Sequence, residues 1–147
     1  ASLEELEGRD FAPFHALRAL PLAMTAHVVY TALDPDYPAT TSATVIGETI
    51  RGRIGFEGLL MSDDLSMKAL KGDFEARTRA SLAAGCDLVL HCNGDMAEME
   101  AVAVEARPLE GESLKRSEAA LGRVVLPSEA ADIDSLWAEF SEITALA

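Results

Sequence analysis

Three short apolar runs, each followed by a stretch of helical character, constrain this chain more than any other feature. The runs at residues 22–29, 58–62 and 87–92 are too short for helices and are bounded by Pro, Gly or acidic residues. After the first comes a loop containing Pro35 and Pro38, then a helix with Val45, Ile46, Ile50 and Ile54 on one face. Ser42 or Thr44 is placed to cap that helix, and Gly55 to end it. After the second run a helix is expected over 73–84, stopped by Gly85, and after the third a helix over 96–105. Strand and helix alternating three times specify an α/β chain with a parallel sheet and right-handed crossovers.

The flanks are helical. Residues 1–20 open acidic and then carry Phe14, Leu17, Ala19 and Leu20 as an approximate stripe that Pro21 stops. Beyond Pro108 and Gly111 two more helices are expected, over 113–124 and 132–146, with Trp137, Phe140 and Ile143 as packing residues. The expected organisation is one partial domain over 1–147, with βα units in 1–106 and a helical tail in 107–147. Repeated βα units suggest a (β/α)8 barrel, which needs eight strands and typically about 250 residues. Here 147 residues offer three strands.

The second run is the one that carries chemistry. It reads GFEGLLMSDDLSM from Gly55 to Met67, an apolar run that ends at Ser62, Asp63 and Asp64. In a parallel sheet, ligands bind where strands emerge at their C-terminal ends. Two carboxylates there are either chemistry or helix capping. Asp64 or Ser66 is suited to cap a helix starting near Met67, which leaves Asp63 to be explained.

This stretch resembles the nucleophile signature of family 3 glycoside hydrolases, in which a Gly-aromatic-x-Gly approach leads through apolar residues to Ser-Asp. The form Ser62-Asp63-Asp64-Leu65-Ser66-Met67 is similar to the β-N-acetylglucosaminidase branch that recycles bacterial cell-wall muropeptides. So are DFAPFHAL (10–17), MTAHVVY (24–30) and AGCDLVLHCNG (84–94). The resemblance implies a retaining mechanism with Asp63 as nucleophile and no cofactor. It implies N-acetylglucosaminyl muropeptides, or a chromogenic N-acetyl-β-glucosaminide, as substrate. It also implies that the three strands are the last three βα units of a (β/α)8 barrel left incomplete in this chain. Together with an N-terminal Ala in place of Met, this leads us to expect the C-terminal part of a longer enzyme. The branch takes its acid/base from a His on a loop of pattern Lys-His-x-Pro-Gly-His-Gly. No such segment occurs here, so the isolated chain is expected to hydrolyse poorly.

The three histidines are His15, His27 and His91. His27, near the end of the first strand, is a candidate for binding sugar hydroxyls or tuning Asp63, the alternative being a hydrogen-bonded structural role. His91 reads as a satisfied core or rim residue, and His15 as surface or packing. Asn93 and Asp95 either line the mouth or form a turn and a helix cap. Two other functions compete. His27, Asp63 and His91, one per strand end, suit the ligand set of a metal-dependent barrel hydrolase. Alternatively, three strands with two open edges suit a non-catalytic fragment that self-associates or is completed by the missing N-terminal half.

Composition excludes several classes. A net charge of −13 argues against nucleic acid and against an anionic membrane surface as partners. No apolar run approaches the ~20 residues that span a bilayer, and the acidic opening (Glu4, Glu5, Glu7) does not read as the basic start of a signal peptide. Cys86 and Cys92 flank one expected strand. At about 3.3 Å per residue they lie on the order of 20 Å apart, too far for a disulfide. Both are expected to be reduced and buried, in keeping with a cytoplasmic location.

Overall fold

The computed structural model describes residues 1–125 and 132–145. Three strands, β1 (Leu22–Met24), β2 (Leu59–Asp64) and β3 (Leu88–Leu90), form one parallel sheet in the order β1-β2-β3. The helices are α1 (Leu3–Glu5), α2 (Ala12–Leu17), α3 (Phe74–Ala84), α4 (Met96–Glu105), α5 (Gly111–Leu121) and α6 (Ile133–Ala145). Two further helical segments, Leu6–Asp10 and Val45–Arg53, have wider turns that close through i→i+5 bonds, such as Ile54 N to Thr49 O at 2.8 Å.

The chain caps its elements with the residue types the physics favours. The Ser42 hydroxyl accepts the Val45 amide at 3.0 Å, and the Asp73 carboxylate accepts the Ala76 amide at the start of α3. Gly85 ends α3 at φ +115°, a left-handed conformation that glycine adopts without cost. The core gathers Leu6, Phe11, Ile46, Ile54, Phe56, Leu60, Ala84 and Cys86 around the central strand. Burying a side chain such as Leu60 contributes roughly 1.5–3 kcal/mol.

Several expectations are corrected. β1 stops at Met24, not residue 29, because Thr25 and His27 turn inward to hydrogen-bond Thr40. β2 continues two residues past 62, so that both acids belong to the strand. No helix starts near Met67: Asp64 closes a local turn with Ser66, and the next helix waits for Asp73. Cys92 is exposed, while Cys86 is buried, its thiol pushed up to about 12 by desolvation. Both are free. Trp137, Phe140 and Ile143 are exposed and do not pack inward, although the first two rings stack at 5.6 Å. Leu146, placed at the end of that helix, lies outside the described residues.

Gly58, just before β2, has the closest surroundings of the chain's glycines. A Cβ there would stand 2.7 Å from Leu20 O and 2.8 Å from Pro21 O. Pro21 O also accepts the Leu59 amide at 2.9 Å, so the two strands cannot part to make room. Gly58→Ala is therefore expected to destabilise the fold by about 1–3 kcal/mol, the usual cost of overpacking, read as a lower urea midpoint at unchanged slope.

Candidate active site

Asp63 is the penultimate residue of β2, half-buried at the C-terminal end of the central strand. One carboxylate oxygen accepts the amide of Asp64 at 2.8 Å, which orients the group. The strand end beneath it is firmly held. Ser62 is fully buried, and its hydroxyl accepts the Leu90 amide at 3.0 Å where the β2–β3 register slips between Met61 and Asp64. Asp64 accepts amides from Ser66 (3.0 Å) and Cys92 (3.2 Å) as well as the Ser66 hydroxyl, joining the ends of β2 and β3. Burial raises the Asp64 pKa, but these bonds outweigh it and hold the carboxyl below its ordinary value. The two neighbouring acids thus differ. Asp64 is spent on backbone donors, whereas Asp63 keeps its second oxygen clear of hydrogen bonds from the described residues.

His27 lies at this strand end with both ring nitrogens engaged. Nε2 lies 2.9 Å from the Asp64 carbonyl oxygen, and Nδ1 lies 2.8 Å from the Thr40 hydroxyl. A carbonyl only accepts, so Nε2 carries the hydrogen. In the neutral ring Nδ1 then accepts from Thr40, whose oxygen meets the Thr25 hydroxyl at 2.8 Å. In this arrangement no ring nitrogen is left for a sugar hydroxyl, and the geometry matches the structural alternative for His27.

The His91 side chain is buried, yet neither ring nitrogen makes a hydrogen bond within the described residues. Nε2 lies 3.1 Å from Glu98 Oε2 without the alignment of a hydrogen bond, and the ring meets Phe74 edge-on at 5.2 Å. The expectation of a satisfied histidine is corrected on this point. His15 is half-buried on α2. Asp95 caps α4 by accepting the Ala97 and Glu98 amides, and Asn93 donates to Glu98 at 2.9 Å, so both serve the turn.

The metal reading does not survive this geometry. The ring nitrogens of His27 are already used, and no three His, Cys, Asp or Glu side chains among the described residues are grouped to hold an ion.

Two residues that sequence reasoning passed over support the site. Arg77 on α3 donates to the Leu65 (2.7 Å) and Gly72 (2.9 Å) carbonyls, fastening the loop that follows Asp63. Asp87, at the opposite end of the sheet, is 6% exposed and accepts from Arg51, the Leu60 amide, Ser113 and Arg116 at 2.6–2.9 Å. Burial raises its pKa, and these donors more than reverse that, leaving it below the usual value. A lone Asp before a strand carries no local sign of partners that come from distant parts of the chain.

Comparison with known proteins agrees with this architecture. A beta-hexosaminidase from Alkalilimnicola ehrlichii is 52% identical over 92 residues, which is 60% of this chain and 26% of that protein. A glycoside hydrolase family 3 beta-N-acetylglucosaminidase from Paenibacillus superposes with a TM-score of 0.73 at 26% identity, over 90% of this chain and 30% of that one. NagZ from Neisseria gonorrhoeae, in complex with N-trifluoroacetyl-D-glucosamine, superposes at 0.69 with 35% identity over 82% and 34%. The chain thus spans about a quarter to a third of the length of these relatives. The family model for the glycosyl hydrolase family 3 N-terminal domain matches residues 1–125, and the chain belongs to that family.

Proposed function

We propose that this chain supplies the nucleophile-bearing part of a retaining β-N-acetylglucosaminidase, with Asp63 as nucleophile. The observation that carries the reading is a carboxylate, with one oxygen unbonded among the described residues, at the C-terminal end of the central strand of a parallel sheet. In the first step a carboxylate oxygen of Asp63 forms a bond to the anomeric carbon as the bond to the leaving oxygen breaks. The leaving oxygen takes a proton from a general acid. In the second step water displaces Asp63 and returns the proton. Relatives named beta-hexosaminidase and a relative holding an N-acylated glucosamine support an N-acetyl-β-glucosaminide as substrate, with N-acetylglucosaminyl muropeptides as its natural form.

The three βα units are the last three of a (β/α)8 barrel, and the general acid comes from outside this chain. Self-association, or completion by an N-terminal half, is supported by the apolar groove along β1. That groove includes the exposed Phe14, Leu17, Leu20, Leu22 and Met24. His27 acts as a positioning residue through the Asp64 backbone. Two free cysteines fit a reducing, cytoplasmic location. No described helix is long and apolar enough to cross a membrane.

The test is hydrolysis of a chromogenic N-acetyl-β-glucosaminide by the chain alone and mixed with a candidate N-terminal half. Turnover is expected only in the mixture. Robust turnover by the chain alone would place the proton donor among its own residues and overturn the division of roles.

A further inference from the structure

At the other ends of the strands lies a cavity of about 430 Å³, bounded by the start of β1, the 55–58 turn and α5. Arg18, Lys115, Arg116 and Arg123 line it, against a single acid among the described residues, Glu57. These are four of the chain's twelve basic residues, collected at one site in a protein of net charge −13. Random scatter of so few cations over so acidic a surface does not favour such a grouping, and mutual repulsion opposes it.

Among the described residues the cations are held in place but not fully neutralised. Arg18 donates to the His15 carbonyl and Arg123 to the Ala19 carbonyl, each using one of five N–H donors on an uncharged partner. Arg116 shares Asp87 with Arg51, so that one carboxylate faces two guanidiniums. Burial and, after it, the charge of Arg116 hold Arg51 below its ordinary pKa. Among the described residues Lys115 has a carboxylate of its own, the exposed Glu112. Counting Arg51 behind the wall, five cations meet three acids. The wall at Gly58 is bare backbone.

We propose that this cavity binds a small multivalent oxyanion of the phosphate class, free or carried as a monoester. Guanidinium groups present paired N–H donors that match phosphate oxygens, and two of them here have uncharged anchors and donors to spare. The site is independent of Asp63, which lies at the opposite end of the sheet.

Inorganic phosphate and glycerol phosphate, each titrated at ionic strength fixed with sodium chloride, provide the test by calorimetry and by amide ¹H–¹⁵N shifts. Saturable binding is expected, with shifts centred on residues 18–21, 55–58 and 115–123. Arg18→Gln with Arg123→Gln is expected to weaken it at least tenfold, and Asp63→Ala to leave it unchanged. Binding of inorganic phosphate alone identifies the free ion, and binding of both ligands identifies a monoester head group. Should the double variant unfold, Lys115→Gln, whose partner Glu112 is exposed, is expected to weaken binding several-fold without a change of fold. Non-saturating heats, shifts centred elsewhere, or affinity unaltered in the folded variants would overturn the proposal.

Discussion

Asp63→Ala is expected to abolish hydrolysis of an N-acetyl-β-glucosaminide by the completed enzyme, with kcat falling by at least about 10⁴-fold, as for loss of a nucleophile elsewhere. The effect is large because, in the proposed role, the covalent intermediate would form on this carboxylate. Asp64 cannot substitute. Its oxygens accept from Ser66 and Cys92, and withdrawing them would loosen the joined ends of β2 and β3. The thermal midpoint of the variant is expected to stay near that of the parent, since among the described residues Asp63 makes only a local bond to the next amide. A kcat within tenfold of the parent would remove Asp63 from the nucleophile role.

Asp87→Ala is expected to cost about 3–5 kcal/mol, because it leaves half-buried Arg51 and Arg116 and the Leu60 amide without their shared, buried acceptor. Against the 5–15 kcal/mol typical of a whole domain, that is enough to unfold much of the population. Urea titration at several pH values tests both the size and the sign. The folded-state pKa of Asp87 is depressed, so its contribution is present above the unfolded value of roughly 3.9 and is lost as pH falls through the folded value. The gap between parent and variant is therefore expected to be constant from pH 7 to about pH 5 and to narrow below pH 4. A gap that persists undiminished at pH 3 would mean that packing, not charge, sets the loss.

These two acids also mark how far the chain can be read without coordinates. The place of Asp63 at a strand exit was legible because the apolar run before it ends abruptly, while its role as nucleophile came from the resemblance and not from that pattern. The capped helices were legible for the same local reason, through Ser42, Asp73, Gly85 and Asp95. Asp87 was not legible, since its value lies in four donors drawn from residues 51, 60, 113 and 116. The early end of β1 was hidden in the same way. Val28 and Val29 favour a strand, but Thr25 and His27 bond Thr40 and the Val28 carbonyl accepts the Ala39 amide, contacts that come from beyond the following loop. The exposure of Cys92 had no local sign either, because it depends on where the chain turns after Leu90.

The row formed by Thr25, Thr40, His27 and the Asp64 carbonyl has a direction. With the imidazole neutral, every hydrogen in it points the same way, from Thr25 through Thr40 and the ring to the strand end beside Asp63. A second proton on the ring would make Nδ1 a donor, and Thr40 would have to swing its own hydrogen back toward Thr25. That change would reverse the Thr40 and Thr25 hydroxyls while leaving the bond to the Asp64 carbonyl untouched. The polarity of that row records the charge state of the histidine, and the hydroxyl proton of Thr40 is the place to read it.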